Sequence, residues 1–387
     1  TAAEKVLDRA VDCGAVHGVM GLVGTKDDVL LHHACGNADF AGRRSWRSDS
    51  IVQIASMTKL VSTIAALQLV EQKKLNLNAD ICSYAPELAS VKVLDGFDIL
   101  GNPILRMPLR TPNVRQLITH TSGYVYFFLN ENASNYLSHV PYEGSRDWLI
   151  RSNLGFDPGS NWEYGTGIDI LAILVEKVSD CELADFFSHN IFEPLSMIDT
   201  SFRYAEEKLD RSVEILHKKD GLFSLADEAL QPYTPIPDGT YFTGGGGLYS
   251  SLLDYSHLIR SLMCGGILEG NRILQETTVA SMFRNHIGNL HVNPSRSPME
   301  YDFCNDFDPG FGSEAKWGLG FLLHTNGTEN GRSPGSVSWC GLFNSYFWID
   351  RESNVFGIFA TQLLPFFEND VVDHLVSFER AVYGIID

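Results

Sequence analysis

The chain opens on two short apolar runs, VHGVMGLVG at residues 16–24 and VLLHHACG after it, on either side of a Lys-Asp-Asp turn. That pattern predicts a hairpin and an antiparallel start to the fold. From Ile51 to Ala85 neither Gly nor Pro interrupts the chain, and Met57, Leu60, Val61, Ile64 and Leu67 recur at spacings of three or four. A helix beginning near Ser56 and buried on one face is expected there. Between about 80 and 240 the character changes. Helical spacing (Ile168, Leu171, Ala172, Val175, Val178) alternates with Pro- and Gly-rich turns such as DPGSNW and QPYTPIPDG, which predicts a mostly helical insertion.

Strand patterns then return: WGLGFLLH at 317–324, SVSWCG at 336–341, and a hairpin of FNSYFWID and VFGIFATQ around Arg351–Asn354. Val371, Leu375, Phe378 and Val382, at steps of four, three and four, mark a final helix. The two ends of the chain would share one sheet. The expected fold is α/β: an antiparallel sheet flanked by helices from residues 1–79 and 241–387, with a helical domain at 80–240 roofing a pocket.

Composition narrows the classes of partner. At 387 residues, 44% hydrophobic and 20% charged, the chain has material for a large core. A formal net charge of -19, with no Lys/Arg run longer than a pair, excludes nucleic acid and anionic membranes as expected partners. No apolar run approaches the roughly 20 residues that cross a bilayer, and TAAEKVLDRA lacks the apolar core of a signal peptide. Seven scattered cysteines form no C-x-x-C pair, which points to a reducing, cytoplasmic setting. No metal or cofactor is expected: there is no HEXXH, and His32 and His33, adjacent on a strand, face opposite ways. Gly244–Gly247 lacks the Gly-Lys-Ser/Thr of a phosphate loop and reads as a tight turn beside a pocket.

The candidate chemistry begins in IASMTKL, where Ser56 and Lys59 are three apart at a helix start. Positions i and i+3 share one helix face, and the helix N-terminus favours a developing oxyanion. A second S-x-x-K, Ser313 to Lys316, runs into a strand and has no helical turn to join its residues. A rival nucleophile in Gly331-Arg-Ser333-Pro-Gly335 fits the G-x-S-x-G elbow. It fails because the residue after that serine must donate an N–H, and Pro334 has none. A serine hydroxyl needs a base, and lysine serves only when its surroundings keep it neutral. Tyr164 in PGSNWEYGTG is the candidate helper, a phenol that beside Lys59 would shift toward phenolate and share the proton. In SWCGLFNSYFWID, Trp339, Cys340 and Gly341 end one strand, and Gly341 permits close backbone approach.

These stretches, with VKVLDGFDILGNP, VRQLITHTSG, GGGGLYSSLLDY and FATQLLPFF, resemble the serine β-lactamase and penicillin-binding-protein-like superfamily. The similarity lies with its class C branch, nearest the family VIII carboxylesterases and lovastatin-type acyltransferases. The resemblance implies Ser56, Lys59 and Tyr164 as catalytic residues, and an oxyanion hole from the N–H groups of Ser56 and Leu342. It also implies an acyl site lined by Tyr124, Trp339, Cys340 and Gly341, with Tyr126, Phe127 and Phe128 setting acyl-chain preference. Two motifs depart from the lactamase pattern. The family's Tyr-x-Asn reads Tyr164-Gly-Thr166 here, and the third motif begins with Trp339 instead of Lys or His. The amide donor and cation that would hold a penicillin are therefore missing. The expected activity is hydrolysis of short- to medium-chain carboxylic esters through a Ser56 acyl-enzyme, with only weak β-lactam turnover. Transfer of the acyl group to an alcohol is one alternative, and a non-catalytic binding protein of the same fold is another.

Overall fold

The structure, a computed structural model, describes residues 1–385 apart from 235, 238, 239, 299 and 300, so part of the QPYTPIPDG turn lies outside the described residues. Seven strands form one sheet: β1 (Gly18–Gly24), β2 (Val29–Gly36), β3 (Ala315–Trp317), β4 (Leu322–His324), β5 (Ser336–Gly341), β6 (Ser345–Asp350) and β7 (Val355–Ala360). Their order is β3-β4-β5-β6-β7-β1-β2, with every pairing antiparallel. β1 pairs with β7, Met20 opposite Ala360, so the two ends of the chain do share the sheet.

The five longer helices among the described residues are α1 (Ala2–Asp12), α2 (Thr58–Glu71), α3 (Gly167–Ser179), α4 (Leu252–Met263) and α5 (Asn369–Val382). Every residue of β1 is buried, which requires cover on both faces. α1 and α5 pack together over the face of Gly21, where a Cβ would lie 2.7 Å from Leu7 and 2.8 Å from Phe378. α4 also packs on β1 and β7 and covers the other face.

Two expectations are corrected. WGLGFLLH is not one strand. Gly320, at φ +100°, turns the chain between β3 and β4, and the Gly318 N–H bonds the Phe321 carbonyl at 3.0 Å. The helix after Ser56 is buried all round, not on one face. From Thr58 to Leu69 every residue is buried, including Lys59, Ser62, Thr63 and Gln68. Its small and polar residues face protein on every side, so their polarity does not mark a solvent face.

α2 packs against α3, the helix that follows Tyr164. Between residues 80 and 240 the helical segments are interrupted by two hairpins, Val93–Phe97 with Pro103–Arg106 and Leu216–Lys219 with Leu222–Leu225. Residues 51–53 pair with residues 249–251, and the Ile54 N–H bonds the Leu248 carbonyl at 3.0 Å. That pairing holds the Gly244–Gly247 turn against the segment that carries Ser56. No helix among the described residues is long and apolar enough to cross a membrane.

Candidate active site

Ser56 sits in a 3-10 turn, Ala55–Met57, that runs directly into α2. Ala55 adopts φ +43°, a left-handed conformation that costs energy for a residue with a Cβ. The surroundings hold it there: the end of β5 presses on this turn, and a Cβ on Gly341 would lie 2.4 Å from the Ile54 carbonyl. Glycine is required at 341 so that the strand carrying Trp339 and Cys340 reaches the serine. Leu342, the next residue, lines the same cavity as Ser56.

Lys59 lies one turn into the helical segment and is 1% exposed. Its Nζ donates to Ser56 Oγ at 3.1 Å, Tyr126 Oη at 2.9 Å and the Gly245 carbonyl at 2.7 Å. Burial pulls its pKa down to about 8, while the Asp169 carboxylate pulls the other way. Tyr164 packs face-on to the ammonium, its ring centroid 4.8 Å from Nζ. His120, Trp339 and Tyr126 surround that ring at centroid distances of 4.9, 4.8 and 5.2 Å. The expected shift of Tyr164 toward phenolate is not found. Burial pushes the phenol up, outweighing the Ser56 and Trp339 side chains that favour ionisation, so Tyr164 remains a proton carrier at neutral pH.

The structure thus brings Ser56, Lys59, Tyr164, Cys340, Gly341 and Leu342 together; Cys340 and Gly341 line a small cleft with Ser56, Tyr164 and Leu342. It separates two others from the main cavity. Tyr124 is 1% exposed and packs in the core, while the four residues after it, Val125 to Phe128, line the cavity. Trp339 is also buried, acting as a wall behind Tyr164 and against Trp317, 4.6 Å away. The rival serines are elsewhere: Ser333 bonds Ser353 at an exposed turn, and Lys316 donates to the Leu290 carbonyl.

Sequence reasoning placed Tyr126 among the pocket aromatics but missed its bond to Lys59, and it missed Asp169 altogether. Tyr126 was one aromatic among three in a row, and nothing in the sequence marks it as the lysine's partner. Asp169 reads as an ordinary acid in the first turn of a helix, yet it is 4% exposed and faces Lys59.

The cavity in front of Ser56 holds about 330 Å³ and is walled by Phe127, Phe128, Trp148, Phe303, Leu342 and Phe343 among others; among the described residues its one charged lining residue is Asp169. A nucleophile, a lysine poised near neutrality and a buried phenol in an aromatic cavity can carry out acyl transfer. A family model described as Beta-lactamase matches residues 3–380. The chain belongs to the beta-lactamase family. Within that family it is similar to the lovastatin esterase of Penicillium rubens, 28% identical over 98% of this chain and 97% of that one. It is also similar to the monacolin J acid methylbutanoyltransferase of Aspergillus terreus, at 29% identity over 87% and 82% of the two chains. Among solved structures, a simvastatin synthase from Aspergillus terreus superposes with a TM-score of 0.84 and 26% identity, covering 99% of this chain and 97% of that one. Serine hydrolases and acyltransferases thus share this beta-lactamase fold.

Proposed function

We propose that this protein is a serine carboxylesterase of the family VIII kind acting on neutral short- to medium-chain esters. The observation that carries the reading is Lys59 Nζ, 3.1 Å from Ser56 Oγ and held near neutrality by burial, beside an aromatic cavity with no cation among the described residues that line it. Ser56 Oγ attacks the ester carbonyl carbon and its proton passes to Lys59. The oxyanion is held by the N–H groups of Ser56 and Leu342. As the tetrahedral intermediate collapses, the proton returns through Lys59 and Tyr164 to the departing alkoxide, and the alcohol leaves. Water repeats the sequence on the acyl-enzyme and releases the acid. Nothing in the chemistry calls for a metal or cofactor. The seven unpaired cysteines suit a cytoplasmic setting.

Penicillins carry a carboxylate that lactamases hold with a cation. Here Trp339 stands where that cation would begin the third motif, and Asp169 in the cavity wall repels an anion. Nitrophenyl acetate and butyrate are therefore expected to turn over well, and a chromogenic cephalosporin at least about 100-fold more slowly in kcat/KM. Comparable rates on both substrates would overturn the ester preference. Transfer to an alcohol uses the same acyl-enzyme, and likeness to a methylbutanoyltransferase favours looking for it. Product analysis with added alcohols reads the partition directly, since ester product instead of acid marks transfer.

Acyl-chain preference follows from a second cavity of about 270 Å³ behind the first, with Val125, Phe127 and Trp148 lining both. Phe127→Ala thins that partition. Its expected effect is a rise of about tenfold in the kcat/KM ratio of nitrophenyl octanoate to butyrate, in the range that a few buried methylenes supply. An unchanged chain-length profile would show that the second cavity is not reached by the acyl group.

A further inference from the structure

We infer that Asp169 is a positioning residue for Lys59: its carboxylate holds the Gly245 peptide, that peptide holds the ammonium, and its charge keeps the lysine aimed at Ser56. The inference rests on the esterase reading above.

The geometry is a relay through a single residue. Asp169 accepts from the Gly245 N–H at 2.9 Å, and the Gly245 carbonyl accepts from Lys59 Nζ at 2.7 Å. Gly245 is thus bound on its N–H by an anion and on its carbonyl by a cation, each matched to the sign it meets. Side-chain size is excluded from the link, because a Cβ on Gly245 would lie 2.5 and 2.6 Å from the two carboxylate oxygens. The glycine turn therefore serves the close approach of a carboxylate, not of a phosphate. An acid in the first turn of α3 needs only the helix dipole and solvent; burial at 4% exposure costs stability unless a charge answers it.

Among the described residues that face the pair, Lys59 is the one cation that answers Asp169, and Asp169 the one carboxylate that answers Lys59. Lys59 faces Ser56, Tyr126, Tyr164, Cys340, His120 and Asp169. Asp169 faces Lys59, Thr243 and the phenols of Tyr126, Tyr142, Tyr164 and Tyr241. Burial pushes those phenols and the Cys340 thiol up and His120 well down, so all are neutral near pH 7. Burial and Asp169 act on the lysine in opposite directions, and removing the carboxylate leaves burial unopposed.

Asp169→Asn keeps the size and the acceptor for the Gly245 N–H but removes the charge, whereas Asp169→Ala removes both. For nitrophenyl butyrate, the acid limb of the wild-type kcat/KM profile is expected near pH 8. Asp169→Asn is expected to move it down by about one pH unit or more. Asp169→Ala is expected to lose more than tenfold across the whole profile. A merely structural aspartate would lower rates without moving the limb, and a limb that coincides with wild type in Asp169→Asn overturns the inference. A second readout does not depend on catalysis: NMR titration of 13Cε-labelled lysine, with the Lys59 signal assigned by its loss in Lys59→Met. A Lys59 titration at lower pH in Asp169→Asn upholds the positioning role even if wild type is inert toward esters, which would fell only the esterase reading. An unmoved titration overturns the role of Asp169 whatever the enzyme's activity.

Discussion

Ser56→Ala is expected to abolish ester turnover, with kcat for nitrophenyl butyrate falling by about 10⁴-fold or more. Tyr164 and Tyr126 are held as phenols by burial, and Ser333 lies at an exposed turn outside the cavity. The substitution should be nearly silent for stability. Ser56 borders the cavity, and its loss removes one hydrogen bond with Lys59 without opening a hole in packed core, a change of about 1 kcal/mol. Melting temperature therefore serves as the control that separates a dead site from a damaged fold. Mass spectrometry supplies the positive half of the test, since wild type quenched during turnover should carry an acyl adduct on the Ser56 peptide. A variant that keeps a tenth of wild-type activity, or an adduct on any other residue, would remove Ser56 from its role.

The parts of this fold that could be read in the sequence are those where one physical demand set the pattern. The hairpins β1–β2 and β6–β7 are apolar runs on either side of polar turns, and α5 keeps a single apolar stripe (Val371, Leu375, Phe378) against the sheet. α1 carries a similar stripe, Ala3, Leu7 and Ala10, but two of its three members are alanines, which contribute little apolar signal. α2 was placed correctly and its environment misjudged, because a helix buried on all sides can use Ser, Thr and Lys wherever neighbouring chain supplies partners. Ser62, for example, donates to the Gly244 carbonyl at 2.6 Å.

The site divides in the same way. Ser56 and Lys59 are legible because local helical geometry alone joins them. Tyr164 is a candidate from its place before a helix, but as one tyrosine of 14 it is singled out only by the resemblance, since 108 residues separate it from Ser56 and the packing of α3 on α2 closes that distance. Tyr126 and Asp169 needed the structure. Their roles depend on which of several neighbouring aromatics meets the lysine and on what lies opposite the first turn of a helix, and neither fact has a local sequence signature.

Lys59→Met is expected to cost activity heavily, by about 10³-fold or more, because Ser56 loses the base that takes its proton. Its effect on stability is the more informative half. Folding lowers the lysine pKa from its ordinary value of 10.5 to about 8. Between those two values the unfolded chain binds more protons, so wild-type stability should rise with pH through that window, and below pH 8 the buried ammonium costs about 3 kcal/mol. The Lys59→Met variant lacks this dependence. It does not simply recover the energy, however, because Asp169 is left as a buried carboxylate without a cation. Removing one member of a buried charge pair costs about 3–5 kcal/mol, and a raised pKa lets Asp169 protonate to relieve part of that. The single variant is therefore expected to be less stable than wild type at pH 7, and the double variant Lys59→Met/Asp169→Asn, neutral at both positions, at least as stable as wild type. Urea denaturation of wild type, both single variants and the double closes the cycle. If the double variant shows the sum of the two single losses, the two groups are not energetically coupled. If it recovers, the charges that activate Ser56 are held against the preference of the fold, and the packing of α2, α3 and the Gly244–Gly247 turn supplies the stability that keeps them together.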